Sequence, residues 1–353
     1  MLRSVLGALA AAAVMLVSSH ASAQTAWIAR VANDVTRINT ATDTQILGNT
    51  PVGSAPFGVL ATATRVYVTN YSGNSVTVLD AATNAVVTTI PGLSTPFGLA
   101  LSPDGTRLYV ANIGNNTVSA INTATNTVVG TITADNTPEG VAVSPDGATL
   151  YIANRFANNV TARTIATNTL VQTYATELSP RQIVLSADGS KAYVSNLSSS
   201  SVSIITLASG GVPPTVSVGS TPWGITRSPD GSRIYVANHG SNSVSMISTA
   251  TNLVTATTAV GTDPIGVSAT PDGTKLYVTN QGSNFVSVLN AVTLAPITTV
   301  DVGGGQRSMG QFFAAAAAPP PVPVPTLSEW AMILLALMLA GGAAVFIQRR
   351  RLA

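Results

Sequence analysis

The chain has 353 residues, of which 46% are hydrophobic, only 8% charged and 5% aromatic, a strand- and turn-rich composition too apolar for disorder. It has no cysteine, which excludes disulfides, thiolate metal sites and a cysteine nucleophile. The formal net charge is +2, yet residues 24–313 carry 12 Lys and Arg against 13 Asp and Glu, so the body lacks the positive footprint of a nucleic-acid binder.

In chain order, Arg3 precedes an apolar run from Val5 to Val17, followed by Ala21-Ser22-Ala23. This is the charged, apolar and small-residue order of a secretory signal, predicting residues 1–23 as a signal peptide cleaved between Ala23 and Gln24.

From Gln24 to Phe313 the chain repeats. Tyr67, Tyr109, Tyr151, Tyr193, Tyr235 and Tyr277 stand 42 residues apart, each opening a phrase such as Tyr67-Val68-Thr69-Asn70. An Asp-Gly turn precedes five of them, at Asp104, Asp146, Asp188, Asp230 and Asp272, and Asp-Gly between apolar runs signals a hairpin. One unit reads as four strands: A over 97–102, B over 107–112, C over 117–122 and D over 127–132. Four short strands every 42 residues predict a β-propeller blade, whose two apolar faces must be covered by neighbouring blades. Strand A begins near Pro56, Pro96, Pro138, Pro180, Pro222, Pro264 and Gln306, which predicts an all-β, seven-bladed ring. The chain starts at strand B, near Trp27, and ends at strand A, over 307–313. The two termini are therefore expected to share a blade and close the ring.

The repeated residues read as scaffold. The six Asn that end strand B are expected to bond local backbone, and the turn Asp residues to shape turns. Function is sought where repeats differ. On one face, after the strand-B Asn, come Tyr71, Ile113, Arg155-Phe156, Leu197, His239 and Gln281. Beside the strand-A Pro come Phe57, Phe97, Glu139, Arg181, Trp223, Ile265 and Arg307. Tyr71, Glu139, Arg155, Arg181, Trp223, His239 and Arg307 are the ligand-binding candidates at the channel mouth. Arg, Glu and aromatic side chains suit a polar ligand, carbohydrate-like or anionic. The same residues also suit a plug of the channel entrance. If they bind ligand, Arg181 and Trp223 are expected to be removable without loss of the fold. No catalytic residue, metal site or cofactor is predicted: His239 is the one histidine of the mature body, and one His with no Cys cannot build a zinc site.

Residues 314–325 are Ala- and Pro-rich and read as an extended stalk. Val324-Pro325-Thr326-Leu327-Ser328-Glu329-Trp330 follows, then an uncharged run over 330–347, predicted as a transmembrane helix. Arg349, Arg350 and Arg351 are expected to stay cytoplasmic, leaving the body outside.

Two resemblances add to this reading. The tandem Tyr-Val-Thr-Asn phrases resemble YVTN-family β-propellers, which implies the fold and an extracytoplasmic setting but no single activity. Val324, Pro325, Thr326, Leu327 and Trp330, with the helix and basic tail over 326–353, resemble the IPTL-CTERM sorting signal of Gram-negative bacteria, with Val324 for Ile and Ala331 for Gly. That resemblance implies processing by an exosortase-type membrane protease, then release or attachment at the cell surface. The expected function is an exported binding or structural module whose partner is an envelope or matrix polymer or a surface protein. The alternative is an extracytoplasmic, lactonase-like hydrolase using the channel mouth.

Overall fold

A computed structural model describes residues 25–211 and 213–313. The expected signal peptide and its cleavage point, the stalk, the sorting motif, the transmembrane helix and the arginine tail lie outside the described residues. The chain divides into two compact units at 315/316, and the first contains the propeller.

Seven antiparallel sheets follow one another in sequence. Blade 1 has three regular strands, Thr25–Arg30, Asp34–Asn39 and Thr44–Pro51. Blades 2 to 7 have four each and start at Pro56, Pro96, Pro138, Pro180, Pro222 and Pro264. The blade containing the sequence pattern above has strands Pro96–Leu101, Arg107–Asn112, Thr117–Asn122 and Thr127–Thr133. Strands B and C are buried on both faces, as expected of sheets covered by two neighbours. Every strand-B Tyr of the repeat lies in the apolar layer between blades, with Tyr193, Tyr235 and Tyr277 fully buried.

The ring closes as expected, but not with a regular strand. Residues 305–313 pair antiparallel with the first strand through bridges Ala26–Phe313 and Arg30–Gln306. Trp27 N–H donates to Phe312 O at 3.0 Å and Arg307 N–H to Ala29 O at 2.9 Å. On its other side the segment meets blade 2, where Val59 N–H donates to Met309 O at 2.8 Å. Gly303, Gly305 and Gly310 all adopt positive φ, and these bends interrupt the strand.

Two local devices repeat. In the A–B turn, Ser102 Oγ donates to Asp104 Oδ1 at 2.5 Å and Thr106 N–H donates to the same oxygen at 3.0 Å, with Gly105 at φ +72. The strand-B Asn side chains meet the expectation only in part. Each donates across to a hydroxyl of strand C seven residues on: Thr77, Ser119, Thr161, Ser203, Ser245 and Ser287, at 2.8–3.1 Å. Backbone carbonyls are accessory acceptors for Asn154 and Asn280. Strand C supplies hydroxyls on the face where Asn ends its strand, and backbone is bonded beside them: Asn112 and Asn154 Oδ1 accept from the N–H of Ser94 and Asp135 at 3.4 and 3.2 Å.

Candidate functional site

The variable face is built by a repeated hydrogen bond. The residue after each strand-B Asn donates its N–H to the carbonyl of the residue before the strand-A proline of the same blade. Tyr71 bonds Ala55 in this way at 2.9 Å, Arg155 bonds Thr137 at 2.8 Å, His239 bonds Thr221 at 3.1 Å and Gln281 bonds Asp263 at 2.8 Å. The acceptor residues sit in the left-handed region, from Thr95 at φ 44 to Thr137 at φ 62, a conformation that costs a non-glycine residue about 1 kcal/mol or more. A side chain from the preceding blade supports five of these backbones. Asn33, Asn74, Asn116, Asn158 and Asn242 accept from the N–H of Ala55, Thr95, Thr137, Ser179 and Asp263 at 2.8–2.9 Å. The variable residues are thus held over the channel by backbone that every blade shares.

They enclose a funnel of about 430 Å³. Phe57, Tyr71, Phe97 and Ile113 form an apolar wall from blades 2 and 3. Thr137, Glu139, Arg155 and Phe156 come from blade 4, Arg181 from blade 5, Trp223 from blade 6, Gln281 from blade 7, and Arg307 from the closing segment. Phe57 and Phe97 also belong to a buried cluster with Ile265 and Met309, against which Tyr71, Ile113 and Trp223 pack.

Glu139 is 1% exposed and Arg181 is 6% exposed. Arg155 Nη1 donates to Glu139 Oε1 at 3.2 Å, and Arg181 Nε faces Glu139 Oε2 at 3.2 Å without the alignment of a hydrogen bond. The Arg181 guanidinium also lies 3.6 Å over the Trp223 ring and 5.2 Å from the Phe97 ring centre. Phe57 stacks on Phe97 at 4.4 Å. Burial pushes the Glu139 carboxyl up, and the charges of Arg181 and then Arg155 oppose it. Burial likewise pushes Arg181 down to about 10, with Glu139 acting in the opposite sense.

Six of the seven candidates line the funnel: Tyr71, Glu139, Arg155, Arg181, Trp223 and Arg307. His239 stands behind it, its ring 4.9 Å from Trp223 and its Nε2 3.9 Å from Asp263 Oδ1. Burial holds His239 below its usual value, with the Asp263 charge acting in the opposite sense, and its ring packs against Trp223. The packing of Arg181 also changes the expected effect of removing it, since its loss would leave Glu139 buried beside Arg155 alone. Thr137 lines the funnel with no sequence signal except its place directly before Pro138. Among the described residues, no three His, Asp or Glu side chains gather where they could hold a metal.

Fold and site together define a seven-bladed propeller with an open, arginine-rich funnel on its variable face. The profile of the lactonase, 7-bladed β-propeller family matches residues 99–222 and 211–293, more than half of the chain, and the chain belongs to that family. The IPTL-CTERM motif matches residues 322–351, which marks an exported protein made as a membrane-anchored precursor and sorted outside the cytoplasm. No curated protein matches the chain. Among solved structures, the chain is similar to hydrazine synthase of Kuenenia stuttgartiensis, with 24% identity and a TM-score of 0.65 over 74% of this chain and 92% of that one. A putative 6-phosphogluconolactonase of Bacteroides fragilis is 17% identical, with a TM-score of 0.70 over 84% and 99%. Virginiamycin B lyase of Staphylococcus aureus is 19% identical, with a TM-score of 0.58 over 67% and 80%. These likenesses show the fold alone.

Proposed function

We propose that this exported propeller is a binding module of the cell surface and that it holds its ligand in the funnel. The observation that carries the reading is the convergence of three arginines and Trp223, contributed by four blades, on one concavity. Side chains of scattered sequence position placed together on a rigid scaffold are the usual makeup of a binding site. The partner is an envelope or matrix polymer or a surface protein, and processing by an exosortase-type protease at the C-terminal motif precedes release or attachment.

A second reading, a lactonase-like hydrolase, is favoured by the family. Such chemistry needs a base or a water-activating group facing the substrate. Here the funnel's one carboxylate, Glu139, is engaged by two arginines, and His239 stands behind Trp223. The test is retention of residues 24–313 on envelope and exopolysaccharide extracts of the host, run beside an assay of lactone hydrolysis. Selective retention with no hydrolysis is expected. Hydrolysis that Glu139→Gln abolishes, with no retention, would replace the binding reading by the enzymatic one.

A further inference from the structure

The funnel is rich in hydrogen-bond donors and poor in acceptors. Arg155 Nε, Arg181 Nε, Arg307 Nε and Trp223 Nε1 are buried and have no hydrogen-bond acceptor among the described residues. Arg307 joins none of the ion pairs there either. The single carboxylate of the lining, Glu139, faces Arg155 and Arg181, and its Oε2 is the one buried lining acceptor without a hydrogen bond among the described residues, against four such donors. A ligand rich in hydroxyls would bring protons that need acceptors, and few are free to take them. An oxyanion brings acceptors only, and bonds from guanidinium to oxyanion are the stronger, charge-assisted kind.

The body of the ligand is indicated by the apolar wall. Phe57, Phe97 and Ile113 present carbon, and at the rim Phe156 is 60% exposed with Arg155 held 5.0 Å from its ring centre. A large exposed ring beside a cation offers a surface for a flat apolar group. The volume, about 430 Å³, lies in the range of small-molecule sites.

We infer that the funnel takes an oxyanion borne on a flat, apolar body, of the chemical class of an aromatic carboxylate, with Arg307 as its unpaired anion contact. This rests on reading the funnel as a ligand site. It differs from that reading in naming a ligand poor in hydroxyls, against the carbohydrate-like alternative.

The experiment is calorimetric titration of residues 24–313, whose ring is closed by its own two ends, with sodium 2-naphthoate, 2-naphthamide and sodium glucuronate. Naphthoate is expected to saturate one site and to bind about tenfold or more tightly than either comparison compound, the scale of one charge-assisted contact. Arg307→Gln should weaken naphthoate by about tenfold and leave the melting temperature unchanged, because no hydrogen-bond or ion-pair partner among the described residues is lost, and Arg307→Lys should restore part of the affinity. Equal binding of naphthamide, tighter binding of glucuronate, indifference to Arg307→Gln, or no saturable heat with naphthoate would each overturn the assignment. Retention on envelope extracts without naphthoate binding removes this ligand class and keeps the binding module. Naphthoate binding without retention supports the ligand class and removes the envelope partner.

Discussion

At the residue scale, three side-chain arrangements make predictions. Asn238 donates to Ser243 and Ser245 at 3.1 and 2.9 Å in a fully buried setting. Ser245→Ala removes one acceptor and leaves a buried donor short, which should cost about 1–3 kcal/mol in urea denaturation with an unchanged slope. The second is the buried triad. Arg181→Ala should lower the unfolding free energy by about 3 kcal/mol, since it strips Glu139 of one of two partners. A variant as stable as the parent would show that the triad contributes no net stability. The third is the turn aspartates. Side-chain bonds from Ser102, Ser186 and Ser228, first among their causes, pull Asp104, Asp188 and Asp230 down to about 2. The folded state therefore holds these protons more weakly than the unfolded chain does. Their contribution is complete above the unfolded value of ~3.9 and is lost as pH falls toward about 2. Melting temperatures measured across that window should drop, and the triple variant Ser102→Ala, Ser186→Ala, Ser228→Ala should show a shallower drop.

At the element scale, blade meets blade through the backbone of strand A. A Cβ added at Gly98 would lie 2.1 Å from Glu139 O, and one at Gly224 would lie 2.5 Å from Ile265 O. Innermost strands approach this closely only because those positions carry no side chain. Blade 5 has Gln182 at the equivalent position, and its Oε1 accepts instead from Ile225 N–H at 3.0 Å. Gly98→Ala must push apart two backbones, one of which carries Glu139. It is expected to lower stability by about 1–3 kcal/mol, and in the calorimetric titration above to weaken naphthoate binding although residue 98 does not line the funnel.

At the scale of the whole molecule, stability depends on closure. The segment 305–313 is bonded on both sides, and Phe312 and Phe313 fill the core of blade 1 beside Trp27. A second latch lies at the rim, where Lys275 Nζ meets Asp43 Oδ2 at 2.6 Å and Tyr277 Oη donates to Asp43 Oδ1, joining blade 7 to blade 1. A chain ending at Gly305 would expose the inner edge of the first strand. It should lose its cooperative melting transition or associate through that edge, as seen by calorimetry and gel filtration. Asp43→Asn should produce a smaller fall in melting temperature, because the inner zipper remains.

Much of this architecture was legible in one dimension. The 42-residue spacing of Tyr67 to Tyr277, the Asp-Gly turns and the strand-A prolines defined seven blades, because each blade is a local unit of antiparallel strands and short turns. The face that varies was legible too, since it is where otherwise identical repeats depart from one another. What only the tertiary structure decided was how those departures combine. Glu139 and Arg181 are 42 residues apart in sequence, and Arg307 is 126 beyond Arg181, yet all three meet in one funnel because the ring turns sequence distance into rotation about an axis. Packing inside each blade was also decided only in three dimensions: the His239 ring lies against Trp223 and outside the funnel lining, and the strand-B asparagines reach strand-C hydroxyls. Burial, ion pairing and the count of free donors are properties of side chains from different blades facing one another, and no single repeat contains them.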